Sequence, residues 1–362
     1  MAATVKSSPV KQRQGETPGP RIDISIRPGR LHIDQQRPAI ATALAGKPVA
    51  VALQLVPSLL PICGQAQLVA AHRAVAAARG QALSPQQRID QELRLWREQA
   101  LAAGWRCTID WPDLLGEPRQ LATLKQLRAA TTARELAALL QGLMPGLEQV
   151  TSVNELLDWA QQGATSPGKL ACLALASEQD TGAGFTLPLV SPAALAPVAA
   201  RAFAREPFDP LDPQGGPLEV GPLAMARDAL IPGLPGATGK PVLARVLAQV
   251  LDMRVIYRAL RDPPAEPPGG DGRTDRPGTG LGCALTARGP VLHQVRLDPA
   301  DPDRVADWRV LAPTDWHFGP RGPVLRDLAG LDNSAAMRLL IASYDPCAPW
   351  TLQTAPGEGY HA

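Results

Sequence analysis

The sequence predicts an α+β fold, mostly α, with small antiparallel sheets near its two ends. Apolar residues recur at helical spacing along much of the chain, whereas strict apolar/polar alternation is confined to residues 22–34 and to strand-like runs between 282 and 311. The connections between those runs are too short for crossover helices, which favours antiparallel pairing.

The elements follow in order. Ile22, Ile24 and Ile26 alternate with Asp23 and Ser25, Pro28-Gly29 turns the chain, and Leu31 and Ile33 alternate with His32 and Asp34, so the first element is a hairpin. Residues 1–20 before it are polar and proline-bearing and are expected to form a disordered tail, with residues 21–362 as a single domain. Leu68, Ala71, Val75 and Ala78 place a helix over 64–78, beginning just after Cys63 and ended by Gly80. Ser84 can cap, and Pro85 suits the first turn of, a helix over 85–103. Residues 132–144, 152–162 and 241–259 also carry a helical period. The stretch 262–280 contains Pro263-Pro264, Pro267-Pro268 and Gly269-Gly270 and is expected to be a mobile loop. Strands are expected over 282–287, 291–297 and 307–311, then a short helix over 333–343 that ends just before Cys347.

Composition narrows the function. Hydrophobic content of 45% is enough for a substantial core, and a net charge of +2 without a basic stripe gives no reason to expect nucleic acid as a partner. No apolar run has the length of a membrane span and residues 1–20 lack the apolar core of a signal peptide, so a cytoplasmic location is expected. The five cysteines are scattered without a C-x-x-C pair, which argues against a disulfide framework. Cys107, Cys172 and Cys283 read as small buried hydrophobes.

Cys63 and Cys347 differ because of their flanks. Pro61-Ile62-Cys63-Gly64-Gln65-Ala66 and Asp345-Pro346-Cys347-Ala348-Pro349-Trp350 each resemble one half of the four-cysteine site of nickel–iron hydrogenase large subunits, R-x-C-G-x-C and D-P-C-x-x-C-x-x-H. Between them lie three further segments in the family's order. They are Gly215-Gly216-Pro217-Leu218-Glu219-Val220-Gly221-Pro222-Leu223-Ala224, Ala287-Arg288-Gly289-Pro290-Val291-Leu292-His293, and Leu311-Ala312-Pro313-Thr314-Asp315-Trp316-His317-Phe318-Gly319-Pro320-Arg321. The match is dense over 284–350, moderate over 22–78 and 215–260, and untraceable between. Ala66 and Trp350 stand where the family has the two cysteines that bridge nickel to iron. Together with the shorter length, that paired loss identifies the chain as resembling the HupK/HoxV-type hydrogenase assembly proteins, paralogues of the large subunit. The resemblance implies a large-subunit-like helical core.

The resemblance also implies roles. In the enzymes the iron carries cyanide and carbon monoxide, and cyanide nitrogen needs donors, which the resemblance assigns to Arg288 and Thr314, with Pro313 shaping the wall. Cys63 and Cys347 are the expected metal ligands. Cys63, at a helix N-terminus, is expected to favour the thiolate form that binds soft metals, and Cys347 to be presented rigidly after Asp345-Pro346. Trp350 is expected to fill the volume nickel would take. The implied cargo is an Fe(CN)2(CO) fragment, bound transiently with a coordination position open; nickel, short of two thiolates, is not expected. Implied partners are a HypC-type maturation chaperone and the hydrogenase large subunit or other maturation proteins. His72 is offset from the family's helix histidine, whose position is taken by Ala70; His293 reads as a supporting position rather than a ligand; His317 has no assigned role. The proton-passing glutamate of the enzymes is absent, with residues 26–32 in its place, and Gln353 replaces the histidine at which enzymes are cleaved, so neither catalysis nor processing is expected. The rival readings are a metal-free mimic of the large subunit that recruits maturation factors and, more remotely, a catalytic subunit.

Overall fold

Ile22, Ile24 and Ile26 are buried on one face of β1 (Arg21–Arg27), which pairs antiparallel with β2 (Arg30–Gln36) in continuous register from Arg21↔Gln36 to Arg27↔Arg30. The computed structural model describes residues 20–27, 30–177, 216–263 and 272–354, with residues 197 and 203 besides. Residues 1–19 of the expected tail, the turn residues Pro28 and Gly29, Gly215 and part of the Pro/Gly-rich stretch (264–271) lie outside the described residues.

The hairpin is not a sheet by itself. β7 (Trp350–Thr354) adds parallel to β1, in register Ile22↔Trp350 to Ile26↔Thr354, so the sheet runs β2-β1-β7 and is mixed rather than antiparallel. The second sheet, β3 (Arg273–Arg276), β4 (Thr279–Thr286), β5 (Gly289–Leu297) and β6 (Val305–Leu311), is antiparallel in sequence order. Its first strand and the start of β4 occupy part of the stretch expected to be loop: cross-strand pairing satisfies backbone there in spite of the glycines.

The helices are α1 (Ile40–Leu44), α2 (Val49–Leu59), α3 (Gly64–Ala78), α4 (Pro85–Trp105), α5 (Trp111–Leu115), α6 (Leu121–Ala129), α7 (Ala133–Gly142), α8 (Val153–Gln162) and α9 (Ser166–Ala176), followed by α10 (Pro222–Met225), α11 (Leu234–Thr238), α12 (Pro241–Arg261), α13 (Pro313–Phe318), α14 (Pro323–Leu328) and α15 (Ser334–Tyr344). Ser84 caps α4 by accepting from Gln87 N, with Gln87 reaching back to Ser84 N, and Asn333 caps α15. No single helix among the described residues is long and apolar enough to cross a membrane.

Two packing relations position the site. α12 is the centre of the largest core, with 18 of its 21 residues buried; its buried charged members survive there as ion pairs, Arg245 with Glu219 and Asp327, Asp252 with Arg227, and Arg254 with Asp228. α3 lies directly on β4. A Cβ on Gly280 would stand 2.0 Å from Ala74 O and one on Gly282 2.0 Å from Ala70 O, so an alanine-rich helix meets a glycine-rich strand because nothing larger fits. α3 thereby holds its first residues, and Cys63 before them, at a fixed height over the sheet.

Candidate metal-binding site

The two cysteines, 284 positions apart in the sequence, line one cleft of about 370 Å³ together with Gln67, Trp308, Thr314 and Ala348. Cys63 ends a 3-10 turn (Pro61–Cys63) and precedes the first residue of α3. Cys347 is delivered by α15, whose last turn closes at Asp345 in the left-handed conformation (φ 48°), and Pro346 then redirects the chain. The sulfurs are near enough that charge on Cys347 opposes ionisation of Cys63.

The expectation that the helix terminus favours a Cys63 thiolate is corrected. Burial, and next Cys347, push the thiol up to about 12 from the ordinary 9.0. The helix donors that would have opposed this are already occupied: Gln65 N and Ala66 N donate to the Glu98 carboxylate at 2.7 and 2.8 Å, and that carboxylate adds its own repulsion. The metal-free protein therefore holds a Cys63 thiol, and a metal must displace its proton.

Arg288 is buried at the β4–β5 turn. Its Nε donates to Asp345 O at 3.1 Å and lies 3.3 Å from Asp345 Oδ2, which Arg106 Nη1 also holds at 2.6 Å. Arg106 begins a π-helical segment (Arg106–Asp110) between α4 and α5, an irregularity that brings a charged residue inward. The guanidinium of Arg288 is close enough to lower the Cys63 pKa in opposition to burial. Thr314 is not a solvent-facing hydroxyl: its Oγ1 is 2.8 Å from Cys347 Sγ and accepts from Cys347 N at 3.2 Å. Neither Arg288 nor Pro313 lines the cleft itself. Pro313 opens α13 between the lining residues Ala312 and Thr314.

The positions of the absent bridging cysteines are apolar. Ala66 is fully buried in a cluster with Cys63, Val69, Ala70, Ala284, Val291 and Ala312. Trp350, expected to fill space beside the cysteines, is not among the residues lining the cleft: it sits in β7 against the main core, with the Arg338 guanidinium 5.9 Å from its ring centre. Among the described residues no three His, Cys, Asp or Glu side chains gather as a metal-binding group.

Sequence reasoning missed Gln67, Glu98, Trp308 and Arg106. Gln67 donates to Cys63 Sγ at 3.3 Å, His293 Nε2 is 2.6 Å from Gln67 Oε1, and Trp308 Nε1 donates to His293 Nδ1 at 3.0 Å. The four-residue spacing of Cys63 and Gln67 on one helical face was the available signal. Both ring nitrogens of His293 are thereby occupied, and burial lowers its pKa to about 3. His72 is exposed. His317 accepts from Val220 N at 3.1 Å and so anchors the segment carrying Glu219.

No family model matches the chain. Among curated proteins it is similar to hydrogenase expression/formation protein HoxV of Cupriavidus necator, 29% identical over 94% of this chain and 97% of that one. It is 30% identical to hydrogenase expression/formation protein HupK of Azotobacter vinelandii over 91% of this chain and 94% of the relative. With hydrogenase expression/formation protein HupV of Azotobacter chroococcum mcd 1 the identity is 32%, covering 88% and 92%. Among solved structures it resembles an NAD+-reducing [NiFe]-hydrogenase in the H2-reduced state (TM-score 0.54, 15% identity, 88% of this chain and 91% of that one). The [NiFeSe]-hydrogenase of Dm. baculatum gives a TM-score of 0.54 at 14% identity, covering 89% and 94%. At such identity the likeness is one of fold.

Proposed function

We propose that this chain, which belongs to the HupK/HoxV family of hydrogenase expression/formation proteins, carries the Fe(CN)2(CO) part of the nickel–iron active site before its transfer to a hydrogenase large subunit. The observation that carries the reading is the convergence of Cys63 and Cys347, from opposite ends of the chain, on one cleft with a guanidinium at hand. Two thiols suit a soft metal ion. The donors a cyanide nitrogen requires are of the kind supplied by Arg288 and by Thr314, whose hydroxyl in the free protein is engaged by Cys347. Two thiolates without the two bridging ones make a site that can give its iron away, which suits a carrier and leaves nickel poorly served. On this reading the chain is not an enzyme, and it works in the cytoplasm with a HypC-type chaperone as donor or recipient.

Infrared spectroscopy on full-length protein purified without oxygen is the test, because cyanide and carbonyl stretches fall where protein is silent. Wild type is expected to show both kinds of band, and Cys63→Ala and Cys347→Ala to lose them while the circular dichroism of the fold is kept. A wild type without such bands, purified from cells that are making hydrogenase, would overturn the carrier reading in favour of a metal-free mimic of the large subunit.

A further inference from the structure

Three buried side chains from three elements form a hydrogen-bond chain that ends on Cys63: Trp308 of β6, His293 of β5 and Gln67 of α3, exposed to 0%, 0% and 2%. The direction of this chain is fixed by chemistry. An indole nitrogen can only donate, so Trp308 Nε1–H, 3.0 Å from His293 Nδ1, makes that nitrogen the acceptor. A neutral imidazole accepting at Nδ1 carries its proton on Nε2, which then donates to Gln67 Oε1 at 2.6 Å. The glutamine amide is oriented in turn, since reversing it would set its NH2 against the imidazole N–H. Its Nε2–H therefore points at Cys63 Sγ, 3.3 Å away.

We propose that Gln67 is a positioning residue for Cys63, and that Trp308 and His293 act through it to keep one N–H donor aimed at the sulfur whenever that sulfur is a metal ligand. This rests on the reading above that Cys63 binds metal. A donor to a thiolate draws electron density off the sulfur and weakens its donation to the metal, and such outer partners commonly change metal affinity about 10–100-fold. Cys63 is thus held in place but kept a moderate ligand, suited to passing a soft metal on.

The test is anaerobic titration of the full chain with Co2+ alone, read by the sulfur-to-cobalt charge-transfer band and by the rate at which a chelator removes the ion. Gln67→Leu is expected to move the band to lower energy and to slow release about 10-fold, within the range typical of such outer partners. Trp308→Phe keeps most of the ring volume but frees the His293 tautomer, and is expected to move the band part of the way in the same direction. A role in packing alone would lower stability and leave the band where it is, so an unmoved band in folded Gln67→Leu overturns the proposal, as does a wild type with no band. If Gln67→Leu does not fold, nitrogen NMR of His293 in the metal-free protein decides: a single Nε2–H tautomer in wild type that becomes mixed in Trp308→Phe is the expected result, and an Nδ1–H tautomer in wild type overturns it. Band shifts as expected in a protein that shows no cyanide or carbonyl stretches would remove the iron-fragment reading and leave the chain of donors standing.

Discussion

Gly282→Ala should damage the site from the far side of α3. The new Cβ would meet Ala70 O at 2.0 Å and Ala74 N at 2.4 Å, both backbone atoms of the helix. Bringing the first contact out to an ordinary 3.4 Å requires a separation of 3.4 − 2.0 = 1.4 Å between strand and helix. A helix backbone cannot give locally without breaking its own ladder, so α3 moves as a body. Cys63 and Gln67 would move with it, while Cys347 stays with α13 and α15. Overpacking of this kind typically costs about 1–3 kcal/mol, offset by the roughly 0.4–1 kcal/mol that alanine contributes by restricting the unfolded chain. The expected result is a net loss of about 1–2 kcal/mol in urea denaturation, with a Co2+ charge-transfer band that is weak or shifted. Gly236→Ala, where nothing lies within 4 Å of the added atom, is the control and should be neutral or stabilising. A Gly282→Ala protein as stable as wild type, with an unchanged cobalt spectrum, would refute the close apposition of α3 and β4.

Arg288→Leu should retain the cyanide-bearing fragment less well than Arg288→Lys, because only the guanidinium offers a planar fork of donors; equal infrared band intensity in the two would show that Arg288 does not face the cargo. Arg106→Leu should cost more stability than Arg288→Leu in urea denaturation, since Arg106 holds the buried Asp345 carboxylate at 2.6 Å against 3.3 Å for Arg288. The metal-free protein should weaken in alkali: burial pushes the thiols of Cys63, Cys107 and Cys283 each up to about 12 from 9.0, so the folded state keeps protons that the unfolded chain gives up. That stability is full below pH 9.0 and is lost as pH climbs toward about 12. The slope approaches about 1.4 kcal/mol per pH unit for each such cysteine, and Cys107→Ala should remove one such share when unfolding is followed above pH 9.0.

Local signals account for most of the fold that was legible. The isoleucine alternation of β1, the Ser84 cap of α4, the period of α12 and the short links among β4, β5 and β6 are each written within a few residues of the element they specify. What was not legible depends on pairing at a distance. β7 is five residues long and gains its partner from Ile22 to Ile26, more than 300 positions earlier, with nothing at 350–354 to announce a parallel strand. β3 lies where proline and glycine argue for a loop, and is held by β4 rather than by its own propensity. No helix was expected over α2, which contains Pro57; that ring packs against Gly64 at the start of α3, which has no side chain to obstruct it.

The site divides along the same line. Cys63 and Cys347 carry their significance in their flanks, because a turn before a helix and an Asp-Pro before a thiol are features of the chain itself. Their electrostatics are not. The helix terminus beside Cys63 reads from sequence as a thiolate site, and in the fold it is the carboxylate of Glu98, from α4, that takes the free N–H groups and reverses the expectation. Likewise the segment around His293 marks it only as a supporting position, and nothing near it or near Trp308 points to Gln67 as the link to a cysteine more than 200 positions away. They reach it only because α3 rests on the glycines of β4, which sets Gln67 over the middle of the sheet where β5 and β6 present their rings. A ligand can be read from its neighbours in sequence; the strength with which it binds is set by neighbours in space, and here those neighbours are placed by two glycines that bear no chemistry of their own.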